Sequence, residues 1–360
     1  MDPNLNELIA IIRSRTSTVE ERHTAGLALA KHPKEAVPLL LAAMDPRDYW
    51  PWRDYFYTFP LFDPPPIPEL LQALHSKRWS VRRNAATMLG QCLCRTREVA
   101  MALAQALLDP IYAVREAARA TLSGYGPLPL EVLPMLIADL SGDLLHNYYY
   151  GVNALTLMGP EGLPELCTYL RHPSETVRRV VLIAVGRIDQ QGTAVTELTA
   201  CLNDESQGIR RDAVRILGLL GPSARPALPT LIAATRDQSG TLRRRALNAL
   251  LRIGELPPEA VPALIERLHD PIPNIRRRAV DALGSMGPRA SVARMSLAAC
   301  LWDPNMVVVA ATFKSLVRMG LDAATIAVLR EFANRAPRNL RERVLAVIAQ
   351  HESEPLPEPS

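Results

Sequence analysis

The sequence predicts an all-α protein, an α-solenoid of stacked helix pairs, and two observations carry that prediction. The first is a self-repeat of about 33 residues in which an Asp precedes an Arg by six positions, with its clearest copies beginning at Asp109, Asp204, Asp237 and Asp270. The second is a Gly that follows each of those Arg residues by eleven positions, at Gly126, Gly221, Gly254 and Gly287. A fixed period of this length is typical of units that stack on their neighbours instead of enclosing one central core.

The first helix of each repeat is predicted from a recurring start in which an apolar residue is followed by Pro, any residue and Leu. Proline is tolerated in a first helical turn because its missing N–H would have no intrahelical partner there. The copies of this start begin at Val37, Ile67, Leu133, Leu163, Leu228 and Val261.

The second helix of each repeat is predicted to begin at an apolar–Arg pair such as Ile209–Arg210. From Ile209 onward, apolar residues recur at the 3.6-residue spacing of one buried stripe, at Ala213, Ile216, Leu217 and Leu220. The Gly that closes each repeat, often followed by Pro, is expected to stop the helix in a conformation with positive φ.

The position of the repeated Arg can be followed along almost the whole chain, in steps of 29 to 33 residues, through Glu20, Arg53, Arg82, Arg115, Tyr148, Arg178, Arg210, Arg243, Arg276, Val309 and Arg341. We therefore expect about eleven repeats in a single solenoid that spans residues 1–350. Residues 44–66 form a degenerate, aromatic-rich repeat, and the Pro- and Glu-rich residues 351–360 are expected to be a disordered tail.

The Asp-to-Arg spacing and the Val-Arg-x-x-Ala-x-x-x-Leu pattern resemble the HEAT-repeat superfamily. More narrowly, they resemble the short bacterial HEAT-like repeats that are also found in phycobilisome lyases. The resemblance covers roughly residues 5–350 and implies a right-handed superhelix whose second helices line a concave face. It does not fix an activity, because this fold hosts many functions.

For the repeated Arg itself, as in Arg210 or Arg243, we favour a structural role. An Asp at the turn, six residues earlier, can accept hydrogen bonds from the Arg of its own or a neighbouring repeat. Such bonds would tie successive turns together.

The residues after the repeated Arg predict a basic strip along the second helices, composed of Arg179, Arg211, Arg215, Arg244, Arg245, Arg252, Arg277 and Arg278. Residues 171–290 contain 18 Arg against 12 Asp or Glu, whereas residues 1–170 have a net negative charge. The strip suits an acidic protein surface or peptide, or a phosphate backbone. A solvated polar face with no ligand explains the same pattern.

Aromatic residues form a second unusual element. Residues 48–62 contain three of the five Phe and two of the four Trp, and Tyr148–Tyr150 occupy a second-helix start three repeats later. We predict Trp50, Tyr149 and Tyr150 as anchors for a protein partner, with gap filling in a shortened repeat as the alternative. For Phe56, Phe59 and Phe62, gap filling is the favoured interpretation.

The sequence gives little support to an enzyme. It contains no nucleotide-binding, HExxH or GxSxG motif. The iron site of deoxyhypusine hydroxylases uses repeated His–Glu pairs, and only His351–Glu352 occurs here. No CxxC pair is present among the five Cys, so we expect neither a metal nor another cofactor.

The predicted function is therefore that of a non-catalytic scaffold which binds an acidic protein partner on the Arg-rich face. HEAT-like alkylpurine DNA glycosylases also use a basic concave face, so nucleic-acid binding is the first alternative. A lyase or chaperone that holds the propionates of a tetrapyrrole is the second. The N-terminus has no signal-peptide pattern and no long apolar run is evident, so we expect a cytoplasmic protein without membrane contact.

Overall fold

A computed structural model describes residues 4–14, 16–44, 58–92, 96–124, 127–140 and 147–353. These residues form α-helices and short 3₁₀ helices, and no strand occurs among them. The chain divides into two compact units, Met1–Ile188 and Asp189–Ser360.

The described helices of the first unit are α1 (Leu5–Arg13), α2 (Val19–Ala30), α3 (Pro33–Ala43), α4 (Ile67–Ala73), α5 (Trp79–Gln91), α6 (Arg97–Ala106), α7 (Tyr112–Leu122), α8 (Leu133–Leu140), α9 (Asn147–Thr156), α10 (Leu163–Thr168) and α11 (Glu175–Ile188). Those of the second unit are α12 (Val195–Ala200), α13 (Gln207–Leu220), α14 (Leu228–Ala234), α15 (Gly240–Ile253), α16 (Val261–Arg267), α17 (Pro273–Met286), α18 (Arg294–Ala298), α19 (Met306–Met319), α20 (Ala323–Arg335) and α21 (Arg338–Ser353).

These helices pair in chain order, which confirms the predicted all-α solenoid of about eleven helix pairs. The pairs run from α1–α2 to α20–α21, and residues 45–57, which follow α3, lie outside the described residues. Many of the first helices, α14 among them, follow directly on a 3₁₀ segment such as Gly221–Ala227.

The second helices of successive repeats pack side by side within each unit. In the second unit, α13 contacts α15, α15 contacts α17, and α17 contacts α19. Small residues allow the backbones to approach: a Cβ on Gly284 would overlap the Ser315 side chain, and a Cβ on Gly218 would lie 3.0 Å from Ala249 Cα. Larger residues at these positions would push neighbouring repeats apart.

The predicted glycine stops are confirmed where the structure describes them. Gly221, Gly254 and Gly287 have φ values of 56°, 71° and 59° at the ends of α13, α15 and α17. Side chains other than Gly rarely adopt such values. Gly126 lies outside the described residues.

The predicted start of the second helices was wrong by two residues. Helix α13 begins at Gln207 and not at Ile209, and the same offset recurs in α15 and α17. The reason is the turn: the Asp204 carboxylate accepts the backbone N–H of Ser206 at 2.8 Å, which closes the turn and lets the helix begin at the next residue.

One first-helix start was also wrong. Helix α3 begins at Pro33, so Val37–Pro38 lies inside it. Pro33 occupies the first helical position, where its fixed φ favours helix initiation.

The repeated Arg residues connect neighbouring repeats, as the structural interpretation predicted. Arg276 donates to the two carboxylate oxygens of Asp303, in the next repeat, at 2.6 and 2.8 Å, and to the carbonyl oxygen of Asp270, in its own turn, at 2.8 Å. Arg243 binds the Asp270 carboxylate in the same two-pronged way. We term these residues the Arg–Asp ladder, with members Arg82–Asp109, Arg243–Asp270 and Arg276–Asp303.

The aromatic segment is described only from Thr58 onward. Phe59 and Phe62 are buried and stack on each other with a centroid distance of 5.8 Å, which confirms gap filling for both. Phe56 and Trp50 lie outside the described residues.

Among the described residues, the stretch Gln207–Ala234 has the length and apolar composition of a membrane-spanning helix. It is not one continuous helix, because Gly221, with its positive φ, and the following 3₁₀ segment separate α13 from α14. It is therefore the second helix of one repeat and the first helix of the next.

We predict that Arg276→Ala lowers the free energy of unfolding by about 3 kcal/mol, because it leaves the Asp303 carboxylate, whose side chain is 5% exposed, without its cation. Urea unfolding followed by circular dichroism measures the change. Arg289→Ala, at an exposed position, is the control and should change stability by less than about 0.5 kcal/mol. Equal effects of the two substitutions would contradict a stabilising ladder.

The ladder also predicts a pH dependence. The hydrogen bond from Arg276 lowers the pKa of Asp303, although burial acts in the opposite direction. This contribution is present above the pKa of an unfolded Asp, about 3.9, and is lost as the pH falls through the lower pKa of the folded state. Asp303→Asn should therefore reduce the loss of stability on acidification below about pH 5. Glu259→Gln, at an exposed position, should leave the acid slope unchanged.

Candidate functional site

The second unit contains a groove of about 400 Å³ on helices α13, α15 and α17. Its lining residues are Val214, Arg215, Gly218, Arg244, Arg245, Asn248, Ala249, Leu251, Arg252 and Arg278. Half of them are Arg, and we term this site the Arg groove.

The repeat period produces this arrangement. Residues 33 apart occupy matching positions on adjacent second helices, so Arg244 on α15 matches Arg211 on α13 and Arg277 on α17. The next position carries Asp212, Arg245 and Arg278 in the same order. Because the three helices pack side by side, guanidinium groups that are distant in sequence become neighbours.

Few carboxylates balance these cations. Asp212 Oδ1 lies 3.9 Å from Nε of both Arg211 and Arg215. Outside the groove lining, Arg277 Nε lies 3.5 Å from Asp281 Oδ2. Within the part of the chain that the structure describes, the remaining groove arginines form no salt bridge; they are Arg244, Arg245, Arg252 and Arg278.

Arg245 is the most constrained of the groove cations. Burial lowers its pKa, and the neighbouring positive charges, first that of Arg211, lower it further, while Asp212 partly offsets them. Its Nε is buried and has no hydrogen-bond acceptor among the described residues. Keeping a guanidinium charged in such surroundings costs stability that a bound anion would recover.

Asn248 contributes a buried hydrogen-bond acceptor, whereas Arg245 contributes a buried donor. Asn248 Oδ1 accepts no hydrogen bond from any described residue. Beneath the charged side chains the groove is lined by apolar residues, of which Val214, Gly218 and Ala249 are buried and Leu251 is half-buried. The arrangement can therefore hold a ligand that carries negative charge.

The structure brings together most of the predicted basic strip. Arg215, Arg244, Arg245, Arg252 and Arg278 line the groove, whereas Arg211 and Arg277 lie on the same helices beside it. Arg179 belongs to α11 of the first unit, is half-buried and has an interaction partner of its own. Its membership of the strip stays a prediction, as does the concave shape of the binding face.

The predicted aromatic anchors are covered by the structure only in part. Tyr149 and Tyr150 lie in helix α9 of the first unit, but their side chains fall outside the described part of the structure, as does all of Trp50. Their role in partner binding stays a prediction.

Sequence reasoning missed Asn248. A signal was available, because Asn248 matches Arg215 in the preceding repeat and Asp281 in the following one. Only the structure reveals that its side-chain oxygen has no hydrogen-bond partner among the described residues.

No group of His, Cys, Asp or Glu that could hold a metal ion occurs among the described residues.

A family model of HEAT repeats matches residues 67–143, 195–275, 228–305 and 261–349. Together these stretches cover well over half of the chain. The chain belongs to the HEAT-repeat family. The match includes every helix that lines the Arg groove.

Relatives of this HEAT-repeat protein include the alpha subunit of a phycocyanobilin lyase from Picosynechococcus sp., which is 27% identical over 195 residues, 49% of this chain and 70% of the relative. The predicted similarity to lyase-type HEAT repeats is thus confirmed. An engineered protein aligns over 99% of this chain and 100% of its own, with 15% identity and a TM-score of 0.49. A chain from the complex of CpcE and CpcF of phycocyanin lyase from Nostoc sp. aligns over 43% of this chain and 99% of its own, with 22% identity and a TM-score of 0.37.

We predict that Arg245→Met raises the free energy of unfolding by about 1 kcal/mol, because it replaces a desolvated cation among like charges by an apolar side chain of similar length. Urea unfolding measures the change. The matched control, Arg243→Met two positions earlier, removes a ladder cation and should lower stability by about 3 kcal/mol. A comparable loss in both variants would mean that Arg245 is a structural residue like Arg243.

Proposed function

We propose that this HEAT-repeat protein is a non-catalytic scaffold that binds an acidic protein partner at the Arg groove. HEAT-repeat membership supports a protein-interaction scaffold in general. The observation that carries the finer proposal is the set of guanidinium groups in one groove, four of which have no salt bridge among the described residues. In the Arg–Asp ladder, by contrast, each Arg side chain forms a salt bridge with an Asp carboxylate of the next repeat.

The balance of charge favours an external anion over internal pairing. Five Arg line the groove, and among the described residues the carboxylate that pairs with one of them, Asp212, has its Oδ1 at the long distance of 3.9 Å from Arg215 Nε. Unpaired charges of one sign in a cleft steer oppositely charged partners toward it and select against partners of like charge. Carboxylates that replace water around these guanidinium groups would form charge-assisted hydrogen bonds.

The apolar part of the groove lining favours a protein partner over a nucleic acid. Leu251, which is half-buried, can contact an aliphatic side chain of a peptide, whereas a phosphate backbone offers no apolar group of that kind. The net charge of the whole chain, +4, is also small for a protein that holds a duplex by its phosphates. Nucleic-acid binding is therefore the alternative that the experiment below has to exclude.

We predict that the double variant Arg244→Glu with Arg252→Glu weakens binding of a fluorescein-labelled decaglutamate peptide by about tenfold or more, because it reverses two exposed groove charges. Fluorescence anisotropy measures the affinity. The control is Arg289→Glu with Arg335→Glu, which changes the net charge equally at exposed positions outside the groove lining.

Equal weakening by both pairs of substitutions would reject the groove as the binding site. A labelled 20-base-pair duplex separates the alternatives. If the duplex binds more tightly than the peptide, with an affinity that falls steeply with salt, the function is nucleic-acid binding and the proposal fails.

A second candidate function is that of a lyase-type subunit or chaperone that holds a tetrapyrrole. The observation in its favour is the 27% identity to the phycocyanobilin lyase alpha subunit. In this case the groove guanidinium groups would pair with the carboxylates of the pigment, and Leu251 would contact its rings. Addition of phycocyanobilin to the purified protein should then change the visible absorption of the pigment, and Arg244→Glu with Arg252→Glu should abolish the change. An unchanged spectrum with the unsubstituted protein would exclude this candidate.

A further inference from the structure

We infer that the partner segment bound by the Arg groove carries apolar side chains beside its acids, and that these lie on the N-terminal half of helix α19. This inference rests on the proposed function and specifies the chemistry of the partner.

The second helices change character at α19. Residues 33 apart lie at matching places on successive second helices. Two such places, one helical turn apart, are occupied on α15, α17 and α19 in turn by Thr241, Asn274 and Val307 and by Arg244, Arg277 and Ala310. Both places are polar or cationic on the groove helices and apolar on α19.

The apolar residues of α19 are exposed to solvent. Met306 and Val307 have exposed fractions of 52% and 56%, and Ala310 is exposed as well. Their spacing of three and four positions places them on one side of the helix, whereas Phe313 and Leu316 are buried on the other side. We term Met306, Val307 and Ala310 the α19 patch. Clustered exposed apolar side chains are typical of a contact surface.

Stacking of the repeats does not account for the α19 patch. Helix α17 packs against α15 and against α19, so all three helices occupy the same kind of place in the stack. At the positions of Val307 and Ala310, helix α17 carries Asn274 and Arg277. The stack therefore forms without apolar side chains at these positions, which indicates that those of α19 serve a contact outside the chain.

The position of the α19 patch decides what covers it. Helix α19 follows α17, the groove helix that carries Arg278. Packed helix axes are about 8–10 Å apart, so an extended segment of about six residues, roughly 20 Å long, covers the two steps from α15 to α19. One short segment can thus contact the Arg groove with one end and the α19 patch with the other.

Charge complementarity assigns the two ends of this segment. The groove arginines favour carboxylates, and α19 itself contains no acidic residue that would repel them. Lys314 and Arg318, on the following turns of α19, are exposed and extend the cationic surface. The α19 patch offers no charge or hydrogen-bonding side chain, so an apolar group fits there. The occupant is therefore an acidic segment with an apolar end.

Two fluorescein-labelled peptides test this chemistry: six glutamates followed by three leucines, and six glutamates followed by three serines. We expect the full-length protein to bind the leucine peptide about tenfold more tightly in fluorescence anisotropy, because its leucines bury apolar surface on Met306 and Val307. Both peptides are also made in the reverse block order, which brings the leucines to α19 with the opposite chain direction. Equal affinities of leucine and serine peptides in both orders would overturn the inference.

A double variant locates the contact. Met306→Ser with Val307→Ser should reduce the advantage of the leucine peptide to about twofold or less and leave the affinity for the serine peptide unchanged, because no charge changes. The matched control is Val292→Ser with Met295→Ser, which removes a Val and a Met that are 79% and 52% exposed outside the second helices. The control should keep the full advantage. Equal losses in both variants would reject the α19 patch as the binding site.

A second copy of the chain is the other candidate occupant. Sedimentation velocity compares the unsubstituted protein with Met306→Ser plus Val307→Ser. We expect the same oligomeric state for both, which leaves the α19 patch to the partner. A dimer that the double substitution separates into monomers would assign the patch to self-association and overturn the inference.

The outcomes also separate this inference from the proposed function. If Arg244→Glu with Arg252→Glu abolishes binding of the serine peptide while the leucines add nothing, the inference fails and the proposed function stands. If neither peptide binds the unsubstituted protein, both fail.

Discussion

The structure depends on one interaction, the bridge from an Arg in one repeat to an Asp in the next. Arg276 donates to both carboxylate oxygens of Asp303 and also to a carbonyl oxygen of its own turn. The same Asp accepts a backbone N–H of its own turn from Asn305. One ion pair thus fixes two turns and the spacing between two helix pairs. The second helices that pack at this spacing provide the walls of the groove.

Two Arg positions that lie two residues apart on one helix have very different surroundings. Arg243 is nearly buried and is neutralised by Asp270, whereas Arg245, two residues later, is surrounded by Arg211, Arg215 and Arg244. The first position contributes to folding. The second places a cation among like charges, which we expect to reduce stability in the unbound protein. Both Arg positions recur with the 33-residue period, so their equivalents lie at the same place on successive second helices.

The sequence was sufficient for the architecture because its signals are local and repeated. The Gly residues that take positive φ and the Asp–Arg spacing are each visible within one repeat. The start of α13 was misjudged because it depends on a hydrogen bond between the Asp204 carboxylate and the Ser206 N–H, and the apolar pattern carries no information about that bond.

The groove could be predicted only in part. The basic face follows from the repeat, but the number of its cations that lack a carboxylate depends on side-chain distances between helices. Asp212 and Arg215 illustrate this point. Their spacing of three residues on one helix predicts a close ion pair, but the structure places Arg215 Nε 3.9 Å from Asp212 Oδ1. The burial of Asn248 Oδ1 without a hydrogen-bond partner among the described residues is likewise a property of three-dimensional packing.

The most direct test of this account is the NMR spectrum of the Arg Nε–Hε groups, recorded with and without an acidic peptide. The resonances of Arg244, Arg245, Arg252 and Arg278 should shift on addition of the peptide, because these residues line the proposed binding site and form no salt bridge among the described residues. Those of Arg243 and Arg276 should stay in place, because the ladder already engages them. Equal shifts in both sets, or shifts confined to arginines outside the groove, would contradict the assignment of binding to the Arg groove.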